Sequence, residues 1–319
     1  MEDEDYFAIT DPESGELGYC VVLGGGGMEY GLSVYTGPNA APFLQEMVHS
    51  MGGLFDEDQQ ETAFSTQAVT VSFEDRDQLD KEDLALIREL GLKFRGSREW
   101  PQFRSYQPGL APWGLDGQQV RFLTAALEQS IHVAERFREN DELYFEHDET
   151  DYGTGEKRLH RVPTATKDGI VWRDEWLPWR VQIDPATPYL YPNELRLRKL
   201  NKDLAKSKDI WQSDFKYLAI AIGERGERPR YPRLCLWVNQ NGMIMNVALV
   251  EQDDCRQPYI EQLLALLEAA GRKPARIDVG SEKALLALQD SANKLGIKVT
   301  YNPLLHELGE AIEAIESGL

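Results

Sequence analysis

The chain has 319 residues, 42% of them hydrophobic and 28% charged, with a formal net charge of −20. That length accommodates two domains with separate cores, and the composition is that of a folded globular protein, which excludes intrinsic disorder. No apolar run approaches the roughly 20 residues that a membrane span needs, so no membrane contact is expected.

The acidity is one-sided. Residues 1–160 hold 32 Asp and Glu against 12 Lys and Arg, whereas residues 161–319 hold 22 of each. The first half therefore repels polyanions, and any nucleic-acid contact is expected in the second half. Cys20, Cys235 and Cys255 are odd in number and widely spaced, with no Cys-x-x-Cys pair. They read as reduced thiols of a cytoplasmic protein, not as a disulfide framework or a thiolate metal site. Met1–Asp5 is acidic and has no basic leader, so a secretory signal is not expected.

Strand-like runs open the chain at Tyr6–Thr10, Gly18–Leu23 and Tyr30–Tyr35. Gly24–Gly27 leads into the third of these, so it reads as a hairpin turn; a phosphate-binding loop would lead into a helix. Pro38-Asn39 starts a helix to about Ser50, and a polar loop and a strand Ala68–Phe73 follow. A helix Lys81–Leu90 stops at Gly91, a strand spans Phe103–Tyr106, and Asp116 caps a helix to about Arg138. Residues 141–192 begin as an acidic linker and continue as a connector holding Trp172, Trp176 and Trp179. A basic helix Asn193–Lys206 carries Arg196, Arg198, Lys199 and Lys202, a pattern most simply explained as a solvated amphipathic face.

The second half shows strands at Tyr217–Ile222, Leu234–Val238 and Met243–Val250, then a helix Pro258–Ala270. A strand Ala275–Val279, a helix Glu282–Leu295, a strand Ile297–Tyr301 and a helix Leu305–Glu316 complete it. Both halves thus read βββαβαβα, with domains at 1–140 and 193–319 joined by 141–192. Cys20–Met28 lies over Cys235–Met243 at an offset of 215, and Leu90–Phe94 over Leu295–Val299 at 205, so an internal duplication is expected. The expected fold class is α/β, two domains of mixed sheet with helices. The element order resembles the ribonuclease H-like fold, with a ferredoxin-like or other split α/β arrangement as the alternative.

That resemblance implies carboxylates on the first strand, the fourth strand and a late helix, holding two divalent metals, because hard cations want oxygen ligands. The matching residues are Asp214, Asp278 and either Glu307 or Glu310. Arg276–Glu282 also resembles the fourth-strand region of retroviral-type integrases, whose pattern is Asp-Asn-Gly-x-Glu, with Val279 in place of the Asn. Mg²⁺ or Mn²⁺ is implied only on this reading, and no other cofactor is expected. The plainer account has Asp278 ending a strand, Asp214 preceding the apolar part of its strand, and Glu307 and Glu310 on an exposed helix. None of the five histidines shows the i, i+4 spacing of a helical zinc site.

The segment 94–113 is rich in Arg, Trp and Pro within the acidic half, and Arg95, Arg98, Trp100, Arg104 and Trp113 are its candidate binding residues. Together with Phe73–Asp83 and Trp176–Trp179, it resembles a bacterial protein family with N- and C-terminal domains of unknown function. The resemblance implies a bacterial cytoplasmic origin and carries no activity over. Two functions follow as expectations. The first is a non-catalytic binding or regulatory protein with an unidentified protein or small-ligand partner. The second is a divalent-metal nuclease or phosphodiesterase centred on Asp278.

Overall fold

The computed structural model describes residues 6–27, 29–49, 64–140, 157–178, 187–224, 226–250 and 254–318. The chain divides into two units, 1–182 and 183–319. Trp179 and the acidic stretch 141–153 of the expected connector lie outside the described residues.

The first unit is one eight-stranded sheet. Its strands are β1 (Tyr6–Thr10), β2 (Leu17–Leu23), β3 (Gly31–Thr36), β4 (Gln67–Glu74), β5 (Trp100–Gln107), β6 (Leu110–Trp113), β7 (Lys157–Thr166) and β8 (Gly169–Pro178). They lie in the order β6-β5-β4-β3-β2-β1-β7-β8, antiparallel except for the β1–β7 pair. Alternation along each strand sends Phe7, Ile9, Cys20, Val34, Val71 and Leu159 to one face, where α3 (Gly117–Glu139) lays down Phe122, Leu123, Ala126 and Val133. A Cβ on Gly18 would stand 2.7 Å from Val34 Cγ1 and 2.8 Å from Phe122 Cζ, so this glycine is what lets α3 sit close to the sheet. The other face packs Tyr6 and Val21 against Leu44 of α1 (Ala40–His49). A third helix, α2 (Lys81–Glu89), follows a 3-10 turn at Arg76–Gln78.

Within the connector expected at 141–192, Lys157–Pro178 form the β7–β8 hairpin of this sheet, with Trp172 and Trp176 packed against the first core. It is bound by charge as well as by apolar contact. Buried Arg161 meets Asp174 and Gln129, and Arg136 donates to Asp174 Oδ2 at 2.7 Å. Burial opposes ionisation of Asp174, but Arg136 and Arg161 outweigh it and hold the carboxyl below the usual range.

The second unit begins with α4 (Glu194–Asp203), followed by the two-residue strand β9 (Ala205–Lys206). Next come β10 (Ile210–Tyr217), β11 (Arg233–Asn239), β12 (Ile244–Val250) and α5 (Arg256–Ala270). The short strand β13 (Arg272–Lys273), β14 (Arg276–Val279), α6 (Glu282–Leu295), β15 (Lys298–Tyr301) and α7 (His306–Gly318) complete it. The five-stranded sheet runs β12-β11-β10-β14-β15, antiparallel among the first three strands and parallel across β10–β14–β15. In units of this sheet's own order that is 3-2-1-4-5, the ribonuclease H-like arrangement. Helices α5 and α6 bury Tyr259, Leu263, Leu267, Leu288 and Ala292 against Trp211, Phe215 and Trp237 on one face, and α7 covers Leu234, Leu236 and Val238 on the other.

Two expectations are corrected here. The first strand of the second unit is Ile210–Tyr217, not Tyr217–Ile222. Its period-two pattern puts Trp211, Ser213, Phe215 and Tyr217 into the core, while Ile220 and Ile222 of the more apolar run lie exposed in the following loop. The two halves also differ in topology. Each opens with an antiparallel three-strand meander, but the first unit's β4 pairs antiparallel with β3, whereas β14 pairs parallel with β10. The expected duplication is therefore not seen in the strand order, and the matched segments coincide only at a hairpin and a helix end.

Candidate functional site

The moved strand boundary changes the standing of Asp214. It is the fifth residue of the eight in β10, within the strand and not before it. Gln212 pairs in parallel register with Asp278, so Gln212, Asp214 and Asp278 share one sheet face. Helix α7 lies on that face through Leu308, Ala311 and Ile312, and its first turn brings Glu307 to Gln212, whose Nε2 donates to Glu307 Oε2 at 2.9 Å. Three of the four expected acids thus belong to one face of one sheet. Glu310 is exposed, one turn on, with His306 Nδ1 3.4 Å from its Oε1.

Each of these carboxylates has a partner within the protein. Asp278 is nearly buried, and Arg276 pairs with it: Nη2 donates to Oδ2 at 2.9 Å, while Nε lies 2.7 Å from Oδ1 without donating a hydrogen bond to it. Asp214 Oδ1 accepts from Ser281 Oγ at 2.7 Å and from Phe215 N at 2.7 Å. A Cβ on Gly280 would stand 2.6 Å from Asp214 Oδ2, so the position beside Asp214 on the neighbouring chain segment is kept empty for its carboxylate. The Gln212 amide holds Glu307 below the usual carboxylate range. Among the described residues no group of three or more His, Cys, Asp or Glu side chains is placed to hold a metal. Gln212 Oε1 remains buried without a hydrogen-bond partner. Sequence reading missed Arg276, Ser281 and Gln212; an Arg two residues before an Asp on one strand face was the available signal.

The binding residues expected in segment 94–113 separate into different surroundings. Arg104 is an internal anchor, its side chain 14% exposed and donating to Asp80 Oδ2 at 2.8 Å and Asp83 Oδ2 at 2.7 Å. The Arg104 guanidinium outweighs burial and keeps the Asp83 carboxyl below its usual range. Trp113 pairs with Ser105, which puts it on the opposite face from Trp100 and Arg104. The pleat turns Trp113 away, and Arg104 is committed to Asp80 and Asp83.

Arg98 and Trp100 each enter a cation–ring pair, Arg98 with Tyr30 and Trp100 with Arg76. The Arg76 guanidinium lies 5.6 Å from the centre of the Trp100 ring, and the Phe94 ring is tilted at 60° to that ring with 5.8 Å between centres. The Arg98 guanidinium lies 5.6 Å from the Tyr30 ring, and its Nη1 donates to Gly27 O at 2.5 Å. Arg95 is exposed nearby in sequence. Among the described residues Arg98 is the one non-glycine with positive φ, 56°. Asp75 holds it there: its Oδ1 accepts from Ser97 Oγ at 2.7 Å and Arg98 N at 2.9 Å. Those two bonds, Ser97's first, keep the Asp75 carboxyl below its usual range. Gly27 of the glycine hairpin and Asp75 thus hold Arg98 in place.

Residues 1–155 match the family described as Domain of unknown function (DUF7309), and residues 196–316 match Domain of unknown function (DUF6930). No curated protein matches the chain. Among solved structures, the chain is similar to the HTLV-2 integrase catalytic core domain in complex with magnesium in its dimeric form. That match is 17% identical, covers 34% of this chain and 68% of that one, and has a TM-score of 0.26. The trimeric form of the same domain gives 18% identity, 35% and 69% coverage, and a TM-score of 0.25. The simian T-cell lymphotropic virus intasome in complex with PP2A regulatory subunit B56 gamma gives 22% identity, 37% and 40% coverage, and a TM-score of 0.28.

Proposed function

We propose that this is a non-catalytic binding protein of the bacterial cytoplasm, in which the second unit keeps a ribonuclease H-like scaffold without its metal chemistry. The observation that supports this reading is the pairing of Asp278 with Arg276. A cation at this face has to compete with a guanidinium already ion-paired with the same carboxylate and donating one hydrogen bond to it. The remaining acids are likewise committed, Asp214 to Ser281 and Glu307 to Gln212.

The binding surface in this reading is the corner formed by Tyr30, Arg76, Arg98 and Trp100. Holding a non-glycine residue in the left-handed region costs roughly 1–2 kcal/mol, and such strain is retained where the side chain has work to do. Flat aromatic rings under guanidinium groups suit a partner segment that presents carboxylates beside apolar side chains. The surrounding acidity restricts the partner to a short segment, since an extended polyanion is repelled.

A short peptide of Glu and Tyr is a direct probe, with binding read by tryptophan fluorescence. Arg98→Gly removes the cation and relaxes the backbone at once. It should melt no lower than wild type yet bind the probe about tenfold more weakly. Unchanged probe affinity in Arg98→Gly and Trp100→Ala would refute the assignment of this corner.

A further inference from the structure

Among the described residues the two large sheets end in the strands β6, β8, β12 and β15, and three of these edges are guarded against pairing with another chain. β6 has only four residues and includes Pro112, β15 has four and opens with Lys298, and β8 carries Arg173, Asp174 and Glu175. β12 is different: its seven residues, Ile244–Val250, include no charge and no proline. A bulge at Met245 shifts its register against β11, and from Asn246 to Val250 the pairing is regular. None of its residues belongs to the sites described above.

The two faces of this edge are covered unequally. Ile244, Val247 and Leu249 stand opposite Val238, Leu236 and Leu234, so all three lie on the face that α7 covers. Helix α7 packs over β10 and β11, and the three side chains beyond it remain 43%, 46% and 44% exposed. On the other face α5 packs over β12, Val250 is buried and Met245 joins the core. With β11 its one neighbour in the sheet, β12 turns alternate N–H and C=O groups outward beside this apolar row.

We propose that β12 pairs antiparallel with β12 of a second copy of this chain, joining the two five-stranded sheets into one across a two-fold axis. The strand's own chemistry selects this occupant. An isologous contact needs a surface complementary to itself, and an uncharged apolar strand is one. A charged partner segment would find no opposite charge on β12. Residues 161–319 balance 22 acidic against 22 basic side chains, so two second units meet without the net repulsion that residues 1–160 carry. A two-fold normal to the sheet keeps both α7 helices on one face, so residues of like face must lie opposite one another. The centred registers therefore place the axis at Val247 or at Ala248. Either one sets the two rows of Ile244, Val247 and Leu249 side by side between the α7 helices. One strand pair buries less than the roughly 1,600 Å² of a standard interface, so the dimer is weak and concentration-dependent.

Sedimentation equilibrium of the full chain tests this. Wild type should rise from the 36.3 kDa monomer towards twice that mass between about 1 µM and about 200 µM chain. Val247→Lys puts a guarding charge on an exposed side chain, so it should stay monomeric over that range with an unchanged melting temperature in dilute solution. Val247→Glu should behave alike. Mixed in equal amounts, the two variants should associate again, because each position 247 lies directly or diagonally across from its copy, within reach of a Lys–Glu pair. That recovery also shows that both variants fold. A wild type that keeps the monomer mass throughout, a dimer that survives Val247→Lys, or a mixture of the two variants that stays monomeric would each overturn the proposal.

Discussion

His160 shows how one residue ties the first unit's stability to pH. It sits on β7, and its Nε2 lies 2.8 Å from Thr10 Oγ1, while its Nδ1 is buried without a partner. Burial lowers its pKa below the ordinary 6.5, and Glu175 across the hairpin opposes that only in part. The unfolded chain therefore takes up a proton at a higher pH than the folded one. The contribution of His160 is fully present above the unfolded value and is lost as pH falls through the lowered folded value. Chemical denaturation at about pH 7.5 and about pH 5.5 should show wild type losing stability on acidification and His160→Gln losing less. Equal losses in the two proteins would remove the histidine from the account.

The element scale separates what was legible in the sequence from what was not. The helix 117–139 starts where Asp116 predicted, because its carboxylate accepts from Gln119 N at 2.9 Å while Gln119 Oε1 accepts from Asp116 N at 3.0 Å. Asp116→Ala should cost about 1 kcal/mol in denaturant titrations, the usual worth of such a cap. A loss within error would mean that packing of Phe122 and Leu123 alone fixes the helix start. Caps, glycine stops such as Gly271 and Gly296, and hairpin turns are local signals, and they read correctly. The first strand of the second unit did not, because the more apolar run 217–222 outweighed the weaker alternation of 210–217, and only tertiary burial of Trp211 and Phe215 decides between them. That slip displaced Asp214 from its strand. Pairings over long separations, such as Ser281 with Asp214 or Arg98 with Asp75, have no local signature and became visible only with the fold.

At the scale of the whole molecule, two units of different topology carry different charge and different chemistry. The first is an acidic eight-stranded sheet with one basic, aromatic corner; the second has the 3-2-1-4-5 sheet of a ribonuclease H-like fold. Asp214 and Asp278 of the second unit share one sheet face, and Asp278 is paired there with Arg276 two residues earlier on the same strand. The central claim is that this face holds itself together with internal ion pairs and hydrogen bonds and does not take up a divalent cation. The most direct test is the melting temperature of the full chain titrated with Mn²⁺ and Mg²⁺, since a ligand that binds only the folded state must raise it. No rise up to millimolar metal is predicted for wild type. A saturable rise that disappears in Asp278→Ala would contradict the account and return this face to metal-dependent chemistry.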